Sequence, residues 1–162
     1  MRLLPIIAAV AIAAPAFAAL APGAQAPDFT TRGAVAGKVV NVHLADLLKK
    51  GPVVLYFFPA AFTGGCNAEA HAFAEAMPAF RKAGATVIGM SADDVPITVA
   101  SAGPKVIAGY NVSLGKQMAG RDITKRTSYV IGRNGRIAFV HDNMDASGHV
   151  EETLAAVQKL KS

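Results

Sequence analysis

Tryptophan is absent from the 162-residue chain, and cysteine occurs once, as Cys66. A lone thiol excludes an internal disulfide framework, a cysteine-based zinc site and a Cys-x-x-Cys redox pair. Charge is sparse as well: Asp, Glu, Lys and Arg make up 17% of the residues, and 16 Lys and Arg against 11 Asp and Glu leave a net +5. The basic residues are scattered rather than clustered, so no nucleic-acid footprint is expected. A solvated basic surface accounts for the high pI, with weak attraction to acidic membrane surfaces or peptidoglycan left open. His43, His141 and His149 have no ligand spacing with acids or with Cys66, and neither a metal nor an organic cofactor is expected. Internal repeats are missing, and the length suits one domain with a single core.

A long apolar stretch stands at the N-terminus, where Met1-Arg2 precedes Leu3 to Ala14, interrupted only by Pro5. Ala16-Phe17-Ala18 fits a signal-peptidase site. The competing Ala24-Gln25-Ala26 would leave Pro27 first, and its fixed ring and missing amide proton disfavour cleavage. The expectation is a signal peptide over 1–18, a mature domain over 19–162, and a periplasmic or secreted location. An uncleaved membrane anchor is the alternative, although Leu3 to Ala21 is barely long enough to span and carries two prolines. With no cysteine nearby, a lipoprotein is excluded. An exported protein with an unpaired thiol either pairs it with another molecule or uses it chemically.

Beyond the leader, Ala26 to Phe29 reads as an extended segment, Lys38 to Val42 as a short edge strand, and Leu44 to Lys50 as one or two helical turns. Val53 to Phe58 is a continuous apolar, β-rich run, the mark of a strand covered on both faces. After Asn67, the apolar residues Ala70, Phe73, Ala74, Met77 and Phe80 recur at helical spacing. Pro78 either kinks this helix or restarts it as a second one, and Gly84 stops it. A second buried strand is expected over Thr86 to Met90, and a short helix over Pro104 to Tyr110. Gly115 to Lys125 shows no clear period and reads as a loop. It feeds a strand at Thr127 to Ile131, a hairpin at Asn134-Gly135 and a return strand over Arg136 to His141. Ser147 is expected to cap a final helix carrying Val150, Leu154, Val157 and Leu160 on one stripe. Gly33 to Lys38 looks like a phosphate loop one residue short and reads as a loop before the edge strand. This order suits a thioredoxin-like α/β sandwich, a mixed sheet with helices on both faces.

Cys66 closes the run Phe58-Pro59-Ala60-Ala61-Phe62-Thr63-Gly64-Gly65-Cys66, between a strand end and a helix start. A thiol there meets the positive end of the helix, and a reactive thiolate is the leading reading. Pro-x-x-x-Thr-x-x-Cys, present as Pro59, Thr63 and Cys66, resembles the active-site pattern of peroxiredoxins. Ala26 to Thr30, Val53 to Phe58, Val87 to Asp93, Arg126 to Ile131 and Asn134 to Ile137 resemble further blocks of that family, so the similarity covers most of positions 26 to 160.

The resemblance implies a peroxidase acting on hydrogen peroxide or small organic hydroperoxides. Cys66 would be the nucleophile and Thr63 would bond the peroxide. Arg126 would stabilise both the thiolate and the departing oxygen, Pro59 would shape the pocket, and Glu69 would orient Arg126. Lowering a thiol pKa from about 8.5 to about 6 raises the thiolate fraction only roughly thirtyfold, so further acceleration must come from polarising the peroxide. Plainer roles stay open: Thr63 as a helix cap, Arg126 as a surface arginine, Glu69 as a solvated first-turn acid.

Two departures from the family pattern stand out. Gly64 and Gly65 occupy positions where a proline is common, and His71 stands where some members carry a second cysteine. His71 itself reads as a surface or packing residue rather than a proton donor. A sulfenic acid on Cys66 therefore needs an external thiol, a thioredoxin-like reductant, or a second copy in a homodimer. The connection Ala92 to Pro96 is also too short for a full parallel crossover of about a dozen residues. Ile97 to Ala100 is therefore expected to form a displaced, disordered or antiparallel edge rather than to lie parallel beside Thr86 to Met90. Rival readings are a non-catalytic thioredoxin-fold binding module, made credible by that short connection, and a thiol-disulfide oxidoreductase.

Overall fold

The computed structural model describes residues 18–35, 38–93 and 100–160, so most of the expected leader lies outside the described residues. In chain order the elements are β1 (Thr30–Val35), β2 (Lys38–His43), α1 (Leu44–Lys50), β3 (Val53–Phe57), α2 (Gly64–Lys82), β4 (Thr86–Ser91), β5 (Ala100–Ser101), α3 (Pro104–Gly109), β6 (Ser113–Met118), β7 (Arg121–Thr124), β8 (Thr127–Ile131), β9 (Ile137–Asp142) and α4 (His149–Lys159). Seven strands form one sheet in the order β2-β1-β5-β4-β3-β8-β9. β3 lies parallel to β4 and antiparallel to β8, which makes the sheet mixed.

The apolar run becomes β3 because both of its faces are covered, and all five of its residues are buried. Alternation along the strand sends Val53, Leu55 and Phe57 into a core with Leu44 of α1, Ile107 of α3 and Tyr129 of β8. Val54, Tyr56 and Phe58 enter a second core with Cys66, Phe73 and Phe80 of α2 and Val157 of α4. Helices therefore cover both faces, as the thioredoxin-like reading expects. On β8 the same parity turns Val130 toward α2 and α4, and Tyr129 and Ile131 away from them.

α2 begins three residues before the expected start, with Thr63 extended at its N-cap, so Cys66 sits in its first turn. The helix runs unbroken through Pro78 rather than restarting there. Pro78 removes the amide that would bond the Ala74 carbonyl, but both residues are exposed and water can serve that carbonyl. Gly84, at φ +74°, ends the helix as expected. Its amide donates to the Arg81 carbonyl and that of Ala85 to Phe80, the paired bonds of a Schellman turn.

Several expectations are corrected. The loop read at Gly33 to Lys38 holds the end of β1 and the start of β2, two strands paired from Thr30↔His43 to Val35↔Lys38. Gly115 to Lys125 is not a loop: β6 and β7 form a hairpin closed by Ala119 and Gly120, both at positive φ. Most of β6 is exposed, so no alternation marks it, and alanine is an unusual residue for such a turn. Ser147 does not cap α4; the N-cap is Gly148 at φ +83°, with no side-chain bond to the helix.

The residue pairs Met90↔Ala100 and Ser91↔Ser101 put β5 parallel to β4, against the expectation of a displaced, disordered or antiparallel edge. β5 is only two residues long and meets only the end of β4, so no full-length crossover is needed. It also bridges to β1 in antiparallel fashion at Gly33↔Ala100. Ile97 and the rest of residues 94–99 lie outside the described residues.

Two substitutions test these packing statements. A Cβ at Gly89 would lie 2.4 Å from Cζ and Oη of Tyr56. That ring is stacked on Phe73 at 4.1 Å and cannot swing aside. Gly89→Ala is expected to lower unfolding stability in urea by about 1–3 kcal/mol. At Gly64 an added Cβ meets nothing within 4 Å. Thr63, at φ −94° and ψ 149°, already has the conformation that precedes a proline. Gly64→Pro is expected to raise stability by about 0.4–1 kcal/mol in the same measurement, by narrowing the unfolded ensemble.

Candidate active site

The chain leaves the buried end of β3 at Phe58 and re-enters helix at Gly64, and the loop between is fixed from three sides. The Thr124 hydroxyl donates to the Phe58 carbonyl at 2.6 Å, which ties β7 to the strand end. The Asp93 carboxylate accepts from the Ala61 amide at 2.7 Å and from the Ser91 hydroxyl at 2.8 Å. Thr63 donates its hydroxyl to the Ala60 carbonyl at 3.1 Å. Phe62 is held at φ +62° with its ring 76% exposed, a strained backbone position for a bulky residue.

The first turn of α2 then delivers the sulfur. The Asn67 amide bonds the Thr63 carbonyl at 2.9 Å, so the amides of Gly64, Gly65 and Cys66 precede the first intrahelical bond. They are the free donors of a helix N-terminus, where the aligned peptide dipoles favour an anion. Cys66 is buried, while Thr63, Gly64 and Gly65 around it are exposed. The thiol thus lies just beneath an accessible turn.

Arg126 reaches the sulfur from the residue before β8. Its Nη2 donates to Cys66 Sγ at 3.5 Å, and its Nη1 donates to Glu69 Oε2 in a short buried ion pair. Nε donates to the Met144 carbonyl at 3.0 Å, and the backbone amide of Arg126 approaches Met144 Sδ at 3.3 Å. Every edge of the guanidinium is used, and neither side chain of the ion pair is exposed by more than 6%. Arg126 is therefore not a surface arginine, and Glu69 is not a solvated acid. A Cβ at Gly65 would stand 3.5 Å from Nη2, so the small residue leaves the guanidinium room over the turn.

Glu69 follows Cys66 by three residues and shares its buried helix face. Burial pushes its carboxyl up to about 7, with the Arg126 guanidinium pulling in the opposite direction. Burial likewise raises the Tyr56 phenol, with the charges of Glu69 and Cys66 adding to it. Glu69 Oε1 has no hydrogen-bond partner among the described residues and lies 3.7 Å from Nδ1 of the buried His149.

The structure thus brings together Cys66, Arg126 and Glu69, with Thr63 at the N-cap of the same helix. Thr63 occupies the cap position but makes no side-chain capping bond. Pro59 borders a small cavity of about 60 Å³ with Asp93, Met118 and Arg121. A cavity of about 480 Å³ between Gly51, Gly84 and Arg133 lies at the other end of β3 and has no part in this site. His71 is exposed and pairs with Glu75 at 3.3 Å, in line with a surface role.

Sequence reasoning missed the roles of Asp93, Thr124, Met144, Ser128 and His149. Only the even parity that Ser128 shares with Arg126 and Val130 was available as a signal. The others are joined to the site by contacts between residues distant in the chain. Among the described residues no cluster of His, Cys, Asp or Glu is arranged to hold a metal ion.

The site agrees with what the chain is similar to. Residues 22–140 match the family described as AhpC/TSA. A chloroplastic peroxiredoxin Q from Suaeda salsa is 36% identical over 157 residues, covering 88% of this chain and 70% of the relative. The crystal structure of peroxidoxin BcpB from Mycobacterium tuberculosis superposes with a TM-score of 0.74 at 28% identity, over 87% of this chain and 98% of that one. A peroxiredoxin Q structure from Xanthomonas campestris shares the fold at TM-score 0.71 and 23% identity, over 88% of this chain and 100% of that one. With the family pattern matching well over half its length, and its single thiol under a buried arginine as the family resemblance implied, this chain belongs to the AhpC/TSA family, the peroxiredoxins.

Proposed function

We propose that the protein is a thiol-dependent peroxidase in which Cys66 reduces hydrogen peroxide or a small organic hydroperoxide. The observation that carries the reading is the Arg126 guanidinium, buried and aimed at Sγ from 3.5 Å. In the first step the Cys66 thiolate attacks one peroxide oxygen. An S–O bond forms as the O–O bond breaks, and the departing oxygen takes a proton to leave as water or an alcohol. Sulfur loses two electrons and becomes the sulfenic acid.

The departing oxygen gathers negative charge, and Arg126 together with the free amides of Gly64 to Cys66 forms a preorganised set of donors for it. The Thr63 hydroxyl donates its hydrogen bond to the Ala60 carbonyl, so its oxygen offers lone pairs to a peroxide O–H. Pro59 shapes the cavity at the loop by bulk alone, since it has no amide proton to give.

The sulfenic acid is returned by an external thiol: one thiol condenses with it to a mixed disulfide and water, and a second thiol releases Cys66. A thioredoxin-like protein, a small thiol or a second copy of the chain can serve chemically. A thiol-disulfide oxidoreductase would need a second cysteine, and the chain has none. The binding-module reading rested on the short connection after β4, yet the Cys66, Arg126 and Glu69 geometry is complete without it.

In this reading residues 1–18 are a cleaved export signal and the protein works in the periplasm or outside the cell. Packing supports cleavage after Ala18 over cleavage after Ala26. The Leu20 amide donates to the Tyr129 hydroxyl at 3.1 Å, and Gly23 and Ala26 make backbone bonds to Ile137 and Gly135. Cutting after Ala26 would discard all of these contacts. Protein recovered from the periplasm is expected to begin at Ala19 by N-terminal sequencing; a start at Met1 or Pro27 would overturn this part.

One equivalent of hydrogen peroxide is expected to add about 16 Da to the intact mass of the reduced protein. The reaction is expected to be far faster than with free cysteine at matched pH, and absent in Cys66→Ser. Arg126→Lys retains charge but loses the fork, and should slow oxidation about 10²–10³-fold. Thr63→Val should slow it about tenfold or more. A wild-type rate no greater than that of free cysteine would refute the assignment.

A further inference from the structure

His149 is the first residue of α4 and is fully buried, yet nothing in the peroxidase chemistry above uses it. Its Nε2 meets the Asn143 carbonyl at 2.9 Å. A carbonyl can only accept, so the ring proton of the neutral imidazole sits on Nε2. Nδ1 is then the acceptor and takes the Ser128 hydroxyl proton at 2.8 Å. The same Nδ1 lies 3.7 Å from Glu69 Oε1, the carboxylate oxygen that Arg126 does not hold. Edge-on against His149 stands the ring of His141, with centroids 4.3 Å apart, and His141 Nδ1 reaches Glu152 Oε2 at 2.8 Å.

With His149 neutral, the one lone pair of Nδ1 is taken up by Ser128 and the ring has no proton to offer the anionic Oε1, which is unfavourable in a dry interior. One proton, on Glu69 or on His149, relieves this. We infer that His149 is a positioning residue for the peroxide reaction: seated by Ser128 and Asn143, it shares one proton with Glu69 and so sets the charge and orientation of the carboxylate that aims Arg126 at Cys66. The inference rests on Cys66 being the peroxide-reactive thiolate.

The electrostatics of the pair agree with this. Burial raises Glu69 to about 7 and lowers His149 from its usual range, so burial places the shared proton on the carboxyl. Other charged and titratable groups face the pair. Tyr56 comes from β3, Cys66 from α2, Arg126 from ahead of β8, His141 from β9 with Glu152 behind it, and Asp145 from the turn before α4. Arg126 opposes protonation of the pair, and burial holds the Tyr56 phenol up. As pH rises through about 7 the shared proton departs and leaves a negative charge beside Cys66.

Two reagents separate positioning from folding. Iodoacetamide alkylation reports the thiolate alone, whereas hydrogen peroxide also needs the aimed guanidinium. His149→Gln can keep a donor to the Asn143 carbonyl but has no titrating ring. It is expected to retain the wild-type Tm, to lose the step near pH 7 in the alkylation profile, and to react with peroxide at least tenfold more slowly relative to alkylation. Ser128→Ala frees Nδ1 for the shared proton and should move that step to higher pH. If His149→Gln and Ser128→Ala both keep the wild-type profile and the wild-type ratio of peroxide to alkylation rates, the inference is overturned. A wild-type protein slow with peroxide would sink the peroxidase reading instead, and the alkylation profiles would still judge the coupling of His149 to Cys66.

Discussion

Burying a guanidinium and a carboxylate together is the constraint around which this site is organised. Each ion loses several kcal/mol of hydration when taken into the interior, and their attraction compensates only if the remaining polar atoms also find partners. Arg126 meets that condition through Glu69, the Met144 carbonyl and the sulfur of Cys66. Glu69 meets it only in part, because Oε1 has no hydrogen-bond partner among the described residues. Burial raises the pKa of this carboxyl, and an imidazole nitrogen stands 3.7 Å from its unpartnered oxygen. A fully satisfied pair would be a fixed strut, whereas this one responds to a proton.

Strand parity makes the convergence possible. Phe58, Tyr56 and Val54 of β3 and its exit face α2, and on the antiparallel neighbour the same face takes Val130, Ser128 and, one step before the strand, Arg126. A shift of one residue in the β3–β8 register would turn Arg126 into the opposite core, where Tyr129 now packs against Phe57 and Tyr110. The helix contributes its own period: Cys66 and Glu69, three apart, lie on one face and meet the same guanidinium. Tyr56 needs the space that Gly89 leaves on the neighbouring strand, so even the stacking on Phe73 beneath the site depends on a residue with no side chain.

The legible part of this protein was the part written in local pattern. Val53 to Phe58 announced a doubly covered strand by its unbroken apolar run, Gly84 a helix end, and Pro59, Thr63 and Cys66 a spacing with one chemical use. The β6–β7 hairpin stayed hidden because its exposed residues carry no alternation and its turn uses Ala119 where glycine or asparagine gives the signal. The role of His149 was hidden for a different reason. Its partners Ser128, Asn143 and Glu69 are distant in sequence or on other elements, so only the tertiary structure shows that a lone histidine at a helix start is buried beside the active carboxylate. Ser147 misled because the backbone turns through Gly148 in the left-handed region, which takes the cap position from the hydroxyl.

The short connection after β4 can coexist with a complete site because of where it falls in the sheet. β3, β8, α2 and α4, which hold Cys66, Arg126, Glu69 and His149, lie on β3's side of β4, whereas β5, β1 and β2 lie beyond its other edge. At the exit of β4, the Asp93 carboxylate fixes the Ala61 amide and takes the Ser91 hydroxyl. That residue stands before the segment 94–99, so whatever path those residues take, the loop carrying Pro59 and Thr63 keeps its anchor. Because β3, β8 and α2 hold sulfur and guanidinium on one side of β4, the sheet can lose length beyond its other edge and keep them in place, and this separates the stability of the edge from the reactivity of the thiol.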